Sequence, residues 1–131
     1  MPKPPRKAIR PHPAFMMRYA LPILAWATLA VIVFATLSPL GERPRLPMAV
    51  DLERSGAFLL AGLLLALAYP RRIWWLLALL PLAIIGMEWL QTFRPDRHGR
   101  MEDALVKLAG AALGLTLGWL ASRIRSGIRE R

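Results

Sequence analysis

Long uncharged runs dominate the hydrophobic pattern of this chain, and charged residues are concentrated between and beside them. The first run, residues 19–40, contains no charge and would form about 33 Å of helix, which is enough to cross the hydrocarbon core of a bilayer. Three further apolar blocks follow at residues 51–70, 73–93 and 104–122, and each includes charged residues near one end. The pattern predicts an all-α protein, a transmembrane bundle of four helices over these ranges.

The first block has a rival interpretation as a cleaved signal peptide, because a basic stretch precedes it. The apolar core of such peptides is about 7–15 residues long, shorter than this uncharged run, so a retained helix is favoured. Pro22 falls in the first turn of the predicted helix, where a missing backbone N–H costs least.

Composition narrows the chemistry that the bundle can carry. The 131 residues suffice for one domain, and 56% of them are hydrophobic, more than in an ordinary soluble domain. The chain has no cysteine, which excludes disulfides and thiolate metal sites. Its two histidines, His12 and His98, lie too far apart for a local zinc motif. We therefore expect neither a metal site nor a cofactor.

The formal net charge of +10 raises the question of a nucleic-acid partner. Nucleic-acid-binding proteins gather their cations on a water-exposed face, whereas the cations of this chain flank apolar blocks. That arrangement is typical of membrane anchoring, so the predicted partner is a lipid bilayer and not a nucleic acid.

The distribution of lysine and arginine predicts the orientation of the bundle. With four crossings, the two termini and the connection between the second and third helices lie on one side. The cations of that side are Lys3, Arg6, Lys7, Arg10, Arg18, Arg71, Arg72, Arg123, Arg125, Arg129 and Arg131. The other side carries fewer cations, and acidic residues balance them. The positive-inside rule therefore predicts a multi-pass protein of a bacterial cytoplasmic (inner) membrane, with both termini cytoplasmic.

The chain divides into three segments under this prediction. Residues 1–17, rich in proline and basic residues, form a disordered cytoplasmic arm that can touch anionic lipid. Residues 18–122 form the membrane domain, and residues 123–131 form a basic cytoplasmic tail.

The charged residues within the blocks all fall at the predicted outer ends of the second, third and fourth helices. An ionisable side chain inside the membrane costs about 2.5–3.5 kcal/mol on insertion scales, and pairing between neighbouring helices offsets this cost. We therefore predict one outer-face site for a ligand. Its residues are Glu53, Arg54, Glu88, Gln91, Arg97, His98, Arg100, Asp103 and Lys107.

Helical spacing places the polar residues on shared faces. Glu88 and Gln91 are three residues apart, and Asp103 and Lys107 are four apart, so each pair lies on one face of its helix. The face of Asp103 and Lys107 continues into a small-xxx-small seam that lets another helix approach closely. The seam consists of Gly110, Gly114 and Gly118. We predict a contact among Glu88, Lys107 and one loop arginine.

Simpler interpretations stand beside the functional one. The loop arginine in the predicted contact is Arg97 or Arg100. Arg54 and Arg100 can equally be interfacial anchors that mark a helix end. His98 in a loop is by default a solvated side chain. Glu88 is the strongest functional candidate, because a carboxylate without a role is rarely retained within a membrane segment.

A series of short motifs runs in order from the second block to the fourth. They are Leu52-Glu53-Arg54, Ala57-Phe58, Gly62, Ala68-Tyr69-Pro70-Arg71-Arg72, Glu88-Trp89-Leu90-Gln91, Pro95-Asp96-Arg97-His98-Gly99-Arg100, Asp103, Lys107, Gly110 and Gly114. In order and spacing they resemble the VanZ-like family of small bacterial membrane proteins, over about residues 36–119. Many members have a histidine or asparagine near the start of the second helix, where this chain has Asp51-Leu52-Glu53-Arg54, and many have asparagine at the position of Lys107. The chain therefore resembles a divergent branch.

The resemblance implies a role in the bacterial cell envelope. Founding members of the family are linked to resistance against a lipoglycopeptide antibiotic that acts on the cell wall, and others are associated with envelope or polysaccharide pathways. It follows that an anionic lipid or a lipid-linked glycan is the ligand to expect at the outer-face site. The oligomeric state stays open.

Three functions are compatible with these residues. The first is a binding or accessory protein, in which Arg54, Arg97, Arg100 and Lys107 pair with phosphate while Glu53, Glu88 and Asp103 orient them. The second is an interfacial enzyme on a lipid-linked phosphate, with Glu88 or Asp103 as general acid or base. The third is a small transporter subunit, which would need oligomers. Open carboxylates would favour the enzyme, and carboxylates paired with lysine or arginine would favour the first function.

Overall fold

The computed structural model describes residues 13–37, 47–93 and 101–129, and these are almost entirely helical. Helix α1 is Pro13–Leu37, α2 is Pro47–Ala68, α3 is Ile73–Gln91 and α4 is Met101–Arg129. A short 3-10 turn, Pro70–Arg72, joins α2 to α3. The described ranges contain no strand, so the prediction of four helices in an all-α chain is confirmed there.

Helices α1 and α2 begin earlier than the hydrophobic pattern predicts. α1 begins at Pro13 and not at Tyr19, so the end of the predicted disordered arm, residues 13–17, is helical, while residues 1–12 lie outside the described ranges. α2 begins at Pro47 and not at Asp51. Both helices start on a proline, because the first helical position needs no N–H and suits the fixed φ of proline. The placement of Pro22 in the first turn was therefore wrong, since it lies inside α1.

The ends of α3 and α4 also differ from the prediction. α4 runs from Met101 to Arg129, beyond the predicted 104–122, so the predicted tail is helical as far as Arg129. The prediction stopped where charges begin, but arginine is a good helix former and backbone hydrogen bonds do not require an apolar side chain. α3 ends at Gln91, two residues early, and the Thr92 N–H donates to the Trp89 carbonyl at 3.1 Å.

α2 and α4 pack in parallel along the glycine seam of α4. Gly110 faces Ser55, Gly114 faces Leu59 and Gly118 faces Leu63, so both residue numbers rise together along the contact. A methyl group at any of these glycines would overlap backbone or side-chain atoms of α2. The prediction that the seam faces another helix is confirmed, and its partner is α2.

α1 packs mainly against α2, and α3 packs mainly against α4, each in the antiparallel direction. Trp26 Nε1 donates to the Tyr69 hydroxyl at 3.1 Å, which joins the middle of α1 to the end of α2. Lys107, near the start of α4, contacts Glu88, near the end of α3. The buried core between the helices includes Ala25, Ile32, Phe58, Leu64, Leu65, Leu80, Ile84, Ala111 and Leu115.

Three helical segments are long and apolar enough to cross a membrane: Arg18–Thr36, Pro70–Gln91 and Met101–Ile128. α2 is not among them, because three charged residues lie in its first half. Large apolar side chains such as Phe34 and Trp74 are exposed on the outside of the bundle, as is expected of a surface that contacts lipid. These features indicate a membrane protein.

Candidate polar site at one end of the bundle

The N-terminal ends of α2 and α4 and the C-terminal end of α3 meet at one end of the bundle, which we name the polar end. This follows from the parallel packing of α2 on α4 and the antiparallel packing of α3. The arrangement gathers four ionisable side chains from three helices. They are Arg54 of α2, Glu88 of α3, and Asp103 and Lys107 of α4.

Lys107 is at the centre of this cluster. Its ammonium group donates to Glu88 Oε1 across the contact between α3 and α4 and lies 2.8 Å from Asp103 Oδ2, one turn earlier on α4. Lys107 is only 3% exposed and Glu88 only 8% exposed. The predicted contact between Glu88 and Lys107 is therefore confirmed. Its third member, Arg97 or Arg100, lies outside the described residues.

Asp103 links the cluster to α2. Its Oδ1 accepts a hydrogen bond from Arg54 Nη1 at 2.6 Å, while its Oδ2 faces Lys107. The Arg54 side chain is 40% exposed, whereas that of Asp103 is mostly buried. The four side chains thus form a continuous series, Arg54–Asp103–Lys107–Glu88, that ties three helices together.

The cluster balances its own charge, with two cations against two carboxylates. Buried charges are tolerated when they are paired, since removing one partner leaves an uncompensated charge in a poorly solvated place. The position of Asp103 in the first turn of α4 adds to this balance, because the N-terminus of a helix carries partial positive charge.

The glycine seam explains why these particular side chains meet. Asp103 and Lys107 lie on the same face of α4 as Gly110 and Gly114, which is the face that packs on α2. The close approach at Gly110 brings the Ser55 backbone against α4, and Arg54 beside it then reaches Asp103. The spacing along α4 therefore determines both the packing and the position of the ion pairs.

Two buried polar atoms at this end have no hydrogen-bond partner among the described residues. They are Glu88 Oε2 and Gln91 Nε2, and Gln91 is only 6% exposed. The first atom is an acceptor and the second is a donor, and they lie one turn apart on the same face of α3. A buried polar atom without a partner costs about 1–3 kcal/mol, so both atoms favour a group that can bind there. A hydroxyl group or a water molecule meets both needs, since it donates and accepts.

The structure brings together five of the nine predicted site residues, namely Arg54, Glu88, Gln91, Asp103 and Lys107. Glu53 lies next to Arg54, but its side chain is exposed. The remaining three, Arg97, His98 and Arg100, are outside the described residues. Their part in the site stays a prediction.

Sequence reasoning missed a second group of residues, at the opposite end. A hydrogen bond joins Trp26 to Tyr69 across 43 positions of sequence. Arg71 and Arg72 lie beside them, at one end of an apolar groove between α1 and α3. These arginines were used as topology signals and as part of a family motif, and no site was predicted there. The run of tyrosine, proline and two arginines at the end of an apolar block was the available signal.

The chemistry of the polar site follows from these contacts. Both oxygens of Asp103 are engaged, by Arg54 and Lys107, whereas Glu88 has only Oε1 on Lys107 and keeps Oε2 without a partner among the described residues. Within the described part of the chain, no three acidic or histidine side chains lie close enough together to hold a metal ion. The arrangement is suited to binding through hydrogen bonds.

Comparison with known proteins adds no assignment to this geometry. No protein-family model, no curated protein and no solved structure matches the chain. The resemblance to the VanZ-like family therefore rests on the motifs quoted above.

Proposed function

We propose that this chain is a four-pass, VanZ-like protein of the bacterial cytoplasmic membrane that binds the sugar part of a lipid-linked glycan at its polar end. The observation that carries the proposal is a pair of buried atoms, Glu88 Oε2 and Gln91 Nε2, that have no partner among the described residues and lie beside a cluster of ion pairs. A sugar hydroxyl would donate to the carboxylate and accept from the amide.

The fourth crossing is supported by the packing of α2. α2 lies parallel to α4 with Arg54 level with Asp103, and the two helices stay in contact from there to Leu63 and Gly118. If α4 crosses the membrane, α2 spans the same depth, and its charged residues reach the same interface as those of α4. Four crossings place both termini on one side, and the excess of cations there favours the cytoplasm.

The family assignment is supported by the site itself. Glu88, Gln91 and Asp103 carry the resemblance, and they meet at the polar end with Lys107, at whose position many members have asparagine. Gly110 and Gly114, which complete the motif, hold α2 close enough for Arg54 to join them. These motifs of α3 and α4 thus correspond to one spatial unit, whereas the motif Ala68-Tyr69-Pro70-Arg71-Arg72 lies at the opposite end of the bundle.

Ion pairs engage both oxygens of Asp103 and one oxygen of Glu88, and Glu88 Oε2 is left to accept a hydrogen bond from a ligand. Binding through that oxygen needs no proton transfer, whereas an interfacial enzyme would need Glu88 or Asp103 to exchange a proton with substrate. A phosphate at Lys107 would compete with Asp103 and Glu88 for the same cation, whereas a neutral hydroxyl can bind beside the intact pairs. The half-exposed Arg54 and the loop arginines then serve the anionic part of the ligand.

The experiment is native mass spectrometry of the purified protein with two probes. One probe is a polyprenyl-pyrophosphate-linked disaccharide, and the other is the same polyprenyl pyrophosphate without sugar. We expect wild type to bind the first probe more tightly. Gln91→Leu, which keeps the approximate shape and removes the donor, should reduce that preference about tenfold, consistent with the loss of one hydrogen bond in a buried site.

The matched control is Glu102→Gln, an exposed side chain in the first turn of α4, and it should leave the preference unchanged. Equal binding of the two probes by wild type would refute recognition of the sugar. Release of the disaccharide or of phosphate during incubation, abolished by Glu88→Gln, would establish the enzyme instead.

A further inference from the structure

An apolar groove runs between α1 and α3, with α2 as its floor. Its volume is about 1440 Å³, and it is open along one side. Apolar side chains from all three helices line it, among them Trp26, Phe34, Phe58, Leu65, Leu79 and Ile84. α1 packs mainly against α2 and α3 packs mainly against α4, so the space between α1 and α3 stays open.

One end of the groove is polar and basic. Tyr69, Arg71 and Arg72 lie there, and Trp75 stands beside them. The hydrogen bond between Trp26 and Tyr69 holds α1 against this end of α2. Both arginines are exposed, so their guanidinium groups can reach an anionic group at the membrane surface.

Arg71 and Arg72 have no carboxylate near them in the described part of the chain. The acidic residues described there all lie at the polar end of the bundle: Asp51, Glu53, Glu88, Glu102 and Asp103. The end that carries Arg18, Arg71, Arg72 and Arg123, which we name the basic end, therefore attracts anions from outside the described protein. Charge complementarity points to an anionic partner.

The length of the groove matches one leaflet of a bilayer. From Trp75 to Met87 along α3 it extends twelve residues, which is about 18 Å of helix. Half of the hydrocarbon core is about 15 Å. An acyl chain whose head group lies at the basic end would therefore occupy the groove from the interface to about the bilayer midplane.

We propose that this groove binds an anionic glycerophospholipid, with an acyl chain between α1 and α3 and its phosphate at Arg71 and Arg72. The lipid comes from the leaflet at the basic end, and it fills the space that the helices leave open. The proposal requires only that the bundle is embedded in a membrane. It is independent of any ligand at the polar end, which lies at the opposite face of the bilayer.

A second copy of the chain is the rival occupant of the groove, and the charges argue against it. Two copies that met through this groove in the same orientation would bring their basic ends together, with no described carboxylate to separate the arginines. Lipid phosphate removes that repulsion, whereas a second copy increases it. An acyl chain also adapts to an irregular apolar surface without a complementary side-chain pattern.

The experiment measures lipids retained by the protein after reconstitution into nanodiscs with equal amounts of phosphatidylglycerol and phosphatidylcholine, using native mass spectrometry. Wild type should retain phosphatidylglycerol preferentially. The double variant Arg71→Gln, Arg72→Gln should lower that preference roughly 25-fold, because each cation near the surface contributes about a factor of five. The matched control is Arg123→Gln, Arg125→Gln, which removes the same charge from the basic end outside the groove.

A second pair of variants tests the groove without changing charge. Ala83→Trp fills the groove and should abolish retention of both lipids, whereas Ala112→Trp, on the exposed surface of α4, should not. Elution as a single species with unchanged helical circular dichroism shows that each variant is folded.

An equal loss of preference in the two arginine double variants, or normal lipid retention by Ala83→Trp, would overturn the proposal. Should the arginine variant fail to fold, the two tryptophan variants decide alone. If wild type shows the mass of a dimer and Ala83→Trp does not, a second copy of the chain is the occupant of the groove instead.

Discussion

Replacing Gly114 by alanine adds one methyl group at the centre of the contact between α2 and α4. That methyl group would overlap the Leu59 carbonyl and lie 2.9 Å from the Leu63 backbone nitrogen. These are backbone atoms of a helix, so no side-chain rotation can relieve the overlap. α2 must therefore move away from α4, and Gly110 and Gly118 lose their close contacts together with Gly114.

The magnitude follows from two opposing effects. Glycine to alanine inside a helix stabilises by about 0.5–1 kcal/mol, because alanine loses less conformational freedom on folding. Overpacking in a well-packed interior destabilises by about 1–3 kcal/mol. Because every neighbour at Gly114 is backbone, the upper part of that range applies, and we expect a net loss of about 1–2 kcal/mol. Gly114→Leu should be worse still.

Gly86 provides a matched control on α3. A methyl group there meets nothing within 4 Å, so Gly86→Ala has only the favourable helix effect and should stabilise by about 0.5–1 kcal/mol. The assay is thermal unfolding of both variants in the same detergent, followed by circular dichroism. A chain of this size shifts its midpoint by roughly 3–5 °C for each kcal/mol. Gly114→Ala that melts at or above the wild-type temperature would contradict the packing of α2 on the glycine seam.

Three further predictions follow from the same contacts. Reporter fusions at Arg131 and within residues 44–47 should lie in opposite compartments, and the same compartment for both would rule out the four-pass topology. Glu88→Ala should destabilise by about 3–5 kcal/mol in thermal unfolding, because it leaves Lys107 with Asp103 alone. The double variant Glu88→Leu, Lys107→Met should recover most of that loss, and no recovery would show that the pair does not form. Arg54→Gln should cost no more than about 1 kcal/mol, since its side chain is partly solvated, and a larger loss would indicate a buried ion pair.

The sequence predicted best those features that depend on spacing within one helix. Gly110, Gly114 and Gly118 share a face because they are four residues apart, and the structure places a helix on that face. Glu88 and Lys107 were predicted to meet because both fall at the predicted outer ends of their helices, and the structure brings them together. Both predictions needed only the period of the helix and alternating direction along the chain.

Features that depend on the angle between helices could not be predicted in this way. The groove between α1 and α3 exists because those helices pack on different neighbours, which no spacing along a single helix reveals. The helix ends were also misplaced, since Pro13 and Arg129 extend helices into segments that hydrophobicity had assigned to the arm and the tail. Hydrophobicity marks where a helix lies in lipid, whereas hydrogen bonding and capping decide where it ends.

The cations at the two ends of the bundle differ in their pairing with described carboxylates, and this difference supports a different proposed ligand at each end. At the polar end, carboxylates already balance the charges of Lys107 and Arg54, so an incoming anion competes with Glu88 and Asp103, whereas a hydroxyl group can use Glu88 Oε2 and Gln91 Nε2 without disturbing an ion pair. At the basic end, Arg71 and Arg72 face no described carboxylate, and an anion gains their attraction without displacing a partner. A ligand with both a sugar and a phosphate would therefore be recognised at the polar end chiefly by its sugar. A simple anionic lipid, which offers charge and an acyl chain, fits the basic end and its groove.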